Sequence, residues 1–427
     1  MLNRLENKSF PRAGKKVVVT GMGIVAPTGI GIDSLLNALK DGESASAHIE
    51  NVNVADYPVK SACQVRNFNV TDFLNPKQAK HMERCSQFGV VAAKMAVEDA
   101  KLELSAIDQD RLEIYEGTSI GGMEKIFDDH QILLTKGYLK LHPFTPVRAF
   151  VGSTTGEIAI VLGINSKSLT ICSGSSSASD AIGLGLERIK SGMIDFALVG
   201  GSETPIVPAI IASFCRMGVV SVRGDDPKAA FRPFSSDRDG FVLGEGSAFL
   251  VLESLESAVL RGASIYAEIA GYGASCDAYH MVMPHEKGEG VRVATRRALT
   301  MAGLTIDDID YINAHGTGTL MNDKYETLAI KSTFGERASQ IAISSTKPIT
   351  GHLLGACGAL EAAICILAIQ HNFVPPTINY SSPDPDCDLN YAPNKAIQKQ
   401  IDMALSYTYG FGGKNSALIF RKYSDAR

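Results

Sequence analysis

The sequence contains no run of about 18 uncharged apolar residues, which is close to the length that a membrane-spanning helix needs. Its N-terminal stretch, MLNRLENKSFPRAGKK, is charged and lacks a hydrophobic signal core. The sequence also lacks an excess of positive charge, because its formal net charge is -5. We therefore expect a cytosolic protein that is neither a membrane protein nor a general nucleic-acid binder.

Paired cysteines are also missing. The 8 cysteines are scattered, with no CxxC pair and no zinc-ligand spacing, so we expect neither a disulfide framework nor a metal site. We also predict no cofactor. What is present is ordinary for a globular enzyme: 427 residues, of which 45% are hydrophobic and 20% charged.

Apolar strands and helices alternate along the whole chain, which predicts an α/β fold. The stretch KKVVVTGMGIVAP is echoed by IYAEIAGYGASC, and DFALVGGSE is echoed by MALSYTYGFGGKN. These long-period repeats predict two similar halves, residues 15–260 and 261–421. The segment 353–369 is apolar on every face, so we place its helix in a central layer between two sheets.

The stretch LTICSGSSSASDAIGLGLERIK, residues 169–190, reads as a short strand, a turn of small polar residues and a helix. Free backbone N–H groups at a helix N-terminus favour developing negative charge, so an acyl-accepting nucleophile would suit this turn. The alternative is that the serines are ordinary helix caps. The helix is predicted from its apolar positions, Ala178, Ile182, Leu186 and Ile189.

Several polar residues interrupt the apolar pattern of the second half. His315 follows a strand inside a Gly/Thr turn, and Lys347 and His352 flank a second turn. We expect Lys347 to pair with Glu361 inside the following helix and to orient His352, unless both charges reach solvent. Phe411 lies between glycines in a turn that can present backbone N–H groups to a ligand. A serine, two histidines and a lysine at strand ends would suit acyl transfer with carbanion chemistry.

Five stretches together resemble the ketoacyl-carrier-protein synthases, the condensing enzymes of fatty-acid and type II polyketide synthesis. They are NAHGTGTLMND, SSTKPITGHLLGACGALEAA, VPPTINY, SDRDGFVLGEG and YGFGGKN, and the resemblance extends over about residues 16–421. It implies a thiolase-like duplicated fold, layered α-β-α-β-α with two mixed sheets around buried helices. It also implies a decarboxylative Claisen condensation, and leaves fatty-acid and polyketide pathways both open.

The same resemblance implies a role for each polar residue. His315 and His352 match the paired histidines that hydrogen-bond the malonyl thioester oxygen. Lys347 matches the residue that positions the second histidine, and Glu361 matches its supporting carboxylate. The backbone N–H groups of Phe411 and of the nucleophile match an oxyanion hole, and the Phe411 ring matches a gate.

The nucleophile itself departs from the family pattern. Counting back without gaps from DFALVGGSE places the family's cysteine at Ser175, three residues after Cys172. A helix N-terminus turns a cysteine into a thiolate, whereas a serine stays protonated and needs a general base. We favour an engineered replacement that prevents condensation, over natural serine acylation and over a natural malonyl decarboxylase or partner subunit.

Partners follow from the resemblance as well. It implies docking of an acyl carrier protein that bears acyl or malonyl phosphopantetheine. We assign this contact to Lys77, Lys80 and Arg216; the alternative is that these three residues are ordinary solvated surface charges. It further implies a dimer, formed either with an identical chain or with a chain-length-factor-like subunit. Retention of His315, His352 and Lys347 favours an enzyme over a non-catalytic chain-length-factor-like partner, and a thiolase would not carry the Lys347/His352 motif.

Overall fold

The computed structural model describes residues 14–424. Ten strands form its framework, five from each half of the chain. They are β1 (Val17–Ala26), β2 (Leu112–Gly117), β3 (Ser168–Ile171), β4 (Phe196–Glu203), β5 (Gly246–Ser254), β6 (Ala267–Cys276), β7 (Tyr311–Asn313), β8 (Ala342–Ser344), β9 (Met403–Gly410) and β10 (Lys414–Lys422). Short strands at Gly29–Ile30, Ala47–His48, Ser61–Ala62, Phe373–Val374 and Ile397–Gln398 form small pairings at the periphery.

The two sets of strands have the same order. The first runs β3-β2-β4-β5-β1 and the second runs β8-β7-β9-β10-β6. In both sets the first three strands are parallel neighbours and the last two pairings are antiparallel. The fold is thus α/β with a repeated mixed sheet, while the exact division at residues 260 and 261 stays a prediction.

The sequence suggested two separate sheets, but the structure joins them. Val18 and Val19 of β1 pair with Glu268 and Ala267 of β6, so that the two sets form one continuous hydrogen-bonded sheet. This junction is only two residue pairs long. The other contacts between the halves come from packed helices and from backbone hydrogen bonds between loops, such as that from the Gly244 N–H to the His352 carbonyl at 2.9 Å.

Ten helices of six residues or more surround the sheet in the described part of the chain. They are α1 (Ile32–Asp41), α2 (Arg84–Asp99), α3 (Glu124–Lys136), α4 (Ser153–Leu162), α5 (Ser177–Lys190), α6 (Pro208–Met217), α7 (Leu255–Leu260), α8 (Glu289–Ala302), α9 (Leu320–Phe334) and α10 (Cys357–His371). Single helical turns occur at Pro76–Ala79, Thr145–Arg148 and Lys347–Thr350.

Helices α5 and α10 form the central layer of the molecule. They pack against each other and against strands of both halves, whereas α2 covers the outside of the first half and α8 the outside of the second. The four predicted apolar positions of α5 are all buried. The segment Leu354–His371 is apolar and long enough to cross a bilayer, but 89% of it is buried in the protein. This confirms the buried helix predicted at 353–369.

One exposed surface of the first half is unusually apolar. We call it the apolar face, and it extends from α3 to the start of α4, where Leu139 is 79% exposed. Its large exposed side chains are Ile126, Leu133, Leu134, Tyr138, Leu139, Phe144, Val147, Phe150 and Val151. In the same half, strand β3 forms the edge of the sheet, and its Leu169 is exposed. Surfaces of this kind are typical of protein–protein contacts.

Candidate active site

Ser175 lies in the turn between β3 and α5, immediately before the N-terminus of the helix. Gly174 has a φ of 66°, and a side chain there would come within 3.3 Å of the backbone nitrogen of Phe411. Glycine therefore lets this turn approach the Gly410–Phe411 segment. Ser176 does not cap the helix, because its hydroxyl donates to the carbonyls of Thr408 and Lys414 at 3.1 and 3.0 Å.

A cavity of about 380 Å³ brings the predicted residues together. Ser175, His315, His352 and Phe411 all line it. Cys172 is exposed and does not line it; its thiol contacts the carbonyl of Ser119 at 3.6 Å. The structure thus places Ser175, rather than Cys172, beside the histidines.

His315 follows β7 and is held by its backbone. The carboxylate of Glu326, on α9, accepts hydrogen bonds from the backbone N–H of His315 at 2.7 Å and of Gly316 at 2.8 Å. Glu326 is buried, and it was not among the predicted residues. Its sequence signal is weak, because the same helix also carries Asp323, Lys324 and Lys331. It fixes the direction in which the imidazole of His315 leaves the strand.

Lys347 contacts His315, and this corrects the prediction that it orients His352. Its ammonium group lies 3.3 Å from Nδ1 of His315, 2.5 Å from the His315 carbonyl oxygen and 2.5 Å from Oε1 of Glu361. The reason is topological: Lys347 follows β8 and His315 follows β7, and these strands are parallel neighbours. The predicted Lys347–Glu361 pair is present, and both side chains are buried.

His352 is held by a different set of groups. Its backbone N–H donates to the carbonyl of Val242 at 2.8 Å, and its ring meets the ring of Phe241 edge-on with centroids 5.0 Å apart. Its Nε2 lies 3.5 Å from Oγ of Ser175, and its Nδ1 lies 3.0 Å from Sγ of Cys357. Cys357 begins α10, and no motif distinguishes it from the other scattered thiols.

Both histidines are neutral at physiological pH. Burial lowers the pKa of His315 and of His352 well below the usual range, and the nearby Lys347 charge lowers both further. Burial alone also opposes the charge on Lys347, but the Glu361 carboxylate 2.5 Å away raises the pKa of this lysine. A fixed cation therefore lies beside two uncharged imidazoles.

This arrangement can stabilise negative charge on an oxygen. A lysine ammonium has only donors, so Nδ1 of His315 must accept and its ring proton lies on Nε2. The His315 and His352 rings have centroids 5.4 Å apart and planes inclined by 82°. Two neutral imidazoles on one cavity can each donate one N–H, which suits an enolate or a thioester oxygen.

Phe411 and the predicted docking residues lie around this centre. The Phe411 ring is 44% exposed and its centroid lies 6.5 Å from that of Phe214, at the side of the cavity. Arg216 is exposed and precedes Met217, which lines the cavity. Lys77 and Lys80 are exposed and do not line it. The gate, oxyanion-hole and docking roles of these residues stay predictions.

Comparison with known proteins identifies the family of this chain. Residues 14–258 match the beta-ketoacyl synthase N-terminal domain, and residues 266–381 match the beta-ketoacyl synthase C-terminal domain. The chain belongs to the beta-ketoacyl synthase family. The 3-oxoacyl-[acyl-carrier-protein] synthase 2 of Synechocystis sp. is 42% identical over 412 residues, which are 96% of this chain and 98% of the relative.

Solved structures of beta-ketoacyl synthases share the whole fold. The structure described as the ishigamide ketosynthase/chain length factor aligns with a TM-score of 0.90 and 36% identity, covering 96% of this chain and 100% of the other. A type II PKS acyl-carrier protein in complex with its ketosynthase, bound to the hexaketide, aligns with a TM-score of 0.88 and 35% identity over the same shares. The predicted thiolase-like ketosynthase fold is thereby confirmed.

Proposed function

We propose that this beta-ketoacyl synthase acts on malonyl-carrier protein in fatty-acid or type II polyketide chain elongation. The observation that carries the proposal is the convergence of two neutral histidines on the cavity that also contains Ser175. The bond between the malonyl α-carbon and its carboxylate breaks, carbon dioxide leaves, and the electron pair moves toward the thioester oxygen. His315 and His352 donate hydrogen bonds to that oxygen.

In the full reaction, the resulting carbanion attacks an acyl group held by the residue at position 175 and displaces its oxygen or sulfur. Ser175 makes this second step slow in the present sequence. A serine hydroxyl does not ionise at neutral pH and needs a general base, whereas His352, whose Nε2 lies 3.5 Å from its Oγ, is assigned to the thioester oxygen rather than to the serine proton. A condensation-inactive malonyl decarboxylase, or a partner subunit that retains the site, is therefore the alternative function, and Ser175 is the residue that favours it.

The first experiment measures decarboxylation of malonyl-carrier protein by the purified chain. Its two readouts are the release of labelled carbon dioxide and the mass of the carrier protein. We expect His315→Ala and His352→Ala each to lower the rate by about 10²–10³-fold, the usual loss for one oxyanion donor. His48→Ala removes an exposed histidine and serves as the control. Unchanged decarboxylation in both site variants would contradict the proposed chemistry.

The proposed macromolecular substrate is an acidic carrier protein, and Lys77, Lys80 and Arg216 are the proposed contacts. Reversing all three charges should raise the KM for malonyl-carrier protein and leave kcat unchanged, and the effect should weaken with salt. Lys101→Glu changes another exposed lysine and is the matched control. An unchanged KM at low ionic strength would remove these residues from the docking site.

We also propose that the apolar face and β3 form a dimer interface, with an identical chain or a chain-length-factor-like subunit as the partner. The exposed apolar side chains of this face support an interface, since monomeric proteins rarely expose so many together. The solved ketosynthase/chain length factor supports a heteromeric partner. A cytoplasmic location stays a prediction.

A further inference from the structure

The thiol of Cys357 has no part in the chemistry described so far, yet it touches the site. Cys357 is the first residue of α10, and its Sγ lies 3.0 Å from Nδ1 of His352. Both residues are buried. Of the eight cysteines, this one contacts a histidine of the cavity.

The contact matters because the two histidines obtain their tautomers in different ways. Lys347 settles the tautomer of His315, but its ammonium group is bonded to His315 and Glu361 rather than to His352. The polar side chains bonded to the His352 ring are Cys357 at Nδ1 and Ser175 at Nε2. The backbone bond to Val242 and the edge-on ring of Phe241 fix the position of the imidazole but supply no proton to it.

Cys357 remains a thiol, because burial raises its pKa far above neutrality. A thiol is a weak donor and a weak acceptor, and its S–H can donate to an unprotonated ring nitrogen. Donation from Sγ to Nδ1 leaves the single proton of the neutral imidazole on Nε2. That nitrogen is the one directed at the cavity, 3.5 Å from Oγ of Ser175.

We propose that Cys357 is a positioning residue, which donates its S–H to Nδ1 of His352 and thereby holds the Nε2–H tautomer that donates into the cavity. This inference rests on the proposed function of the site and names how one of its two donors is set. It has a second consequence. A His352 with its proton on Nε2 has no lone pair directed at Ser175, so it cannot act as the general base that serine acylation requires.

The direct test is the ¹⁵N spectrum of the histidine side chains in the full-length protein, with the His352 signals assigned by their loss in His352→Gln. We expect one Nε2–H tautomer in the unmodified chain, a mixture of tautomers in Cys357→Ala, and return of the single tautomer in Cys357→Ser. Cys365→Ala is the matched control. Cys365 is a second buried thiol of α10, and eight residues along a helix place it about 12 Å from Cys357.

The activity test uses the same variants with malonyl-carrier protein. Decarboxylation should fall about two- to tenfold in Cys357→Ala, the effect of one neutral hydrogen bond, and recover in Cys357→Ser while Cys365→Ala stays unchanged. A single Nε2–H tautomer in Cys357→Ala would overturn the inference, as would an equal tautomer change in the Cys365→Ala control. If the unmodified chain lacks decarboxylase activity, the proposed function fails, but the ¹⁵N spectra still decide the role of Cys357.

Discussion

Replacement of Ser175 by cysteine is the most informative perturbation of this protein. The side chain at position 175 lies two residues before the first residue of α5 and 3.5 Å from Nε2 of His352. An unperturbed thiol, with a pKa of about 8.5, is only about 3% thiolate at pH 7. A helix N-terminus lowers such values toward or below neutrality, and a pKa of about 6 would give about 90% thiolate.

The gain in rate follows from this ionisation. Serine must lose its proton during attack without a base, and a positioned general base is typically worth about 10²–10⁴-fold. We therefore expect Ser175→Cys to increase condensation by at least about 10²-fold, because a standing thiolate needs no base. Malonyl decarboxylation, which depends on the two histidines, should change much less.

The assay is the intact-protein mass after incubation with acyl carrier protein, followed by peptide mapping and by detection of the 3-oxoacyl product. Cys172→Ser, made in the Ser175→Cys background, is the control, because Cys172 is exposed and lies outside the cavity. An acyl group on Ser175 in the unmodified chain would refute the reasoning about the missing base. An acyl group on Cys172 would show that the position of the nucleophile is wrong.

Three further predictions concern the buried pair, the pH dependence and the apolar face. Lys347→Met leaves Glu361 buried without its partner and should lower the free energy of unfolding in denaturant by about 3–5 kcal/mol; adding Glu361→Leu should restore most of that loss but not decarboxylation. Because the pKa values of His315 and His352 are lowered, decarboxylation should stay constant from about pH 8 to 6 and fall only below that range; a loss centred near the usual histidine pKa would contradict neutral donors. Because the folded-state pKa of each histidine is the lower one, stability is kept above the unfolded pKa and is lost progressively as pH falls from the unfolded pKa through the folded pKa. Leu139→Glu should halve the mass measured by light scattering, because it places a charge in the proposed interface. A mass equal to one chain for the unmodified protein would exclude the dimer.

The sequence was sufficient for the local structure around Ser175 and for the buried helix α10. The strand–turn–helix pattern at 169–190 depends on neighbouring residues, and the apolar run of α10 leaves few alternatives to burial. The pairing of Lys347 with Glu361 was also accessible, since two charges in an apolar segment are expected to find each other.

The partners of the histidines were not accessible in the same way. Lys347 reaches His315 because β7 and β8 are parallel neighbours. The motifs that contain these two residues do not determine the order of the strands. The contact between Cys357 and His352 depends on how the chain turns between them, where Leu354 has a φ of 43°. Such a backbone conformation is unfavourable for leucine, so the local sequence does not predict it.

The two-pair junction between β1 and β6 has a consequence for how the site is made. Ser175 is carried by one half and both histidines by the other, while direct strand pairing between the halves is limited to Val18, Val19, Ala267 and Glu268. Alignment across the cavity thus depends on the α5–α10 contact and on loop hydrogen bonds such as that from the His352 N–H to the Val242 carbonyl, and a core substitution between the two helices would act on reactivity without touching any reacting group. In evolutionary terms, duplicated halves that meet mainly through packed helices and loops, with only a short strand pairing, can diverge separately, provided the two central helices change together.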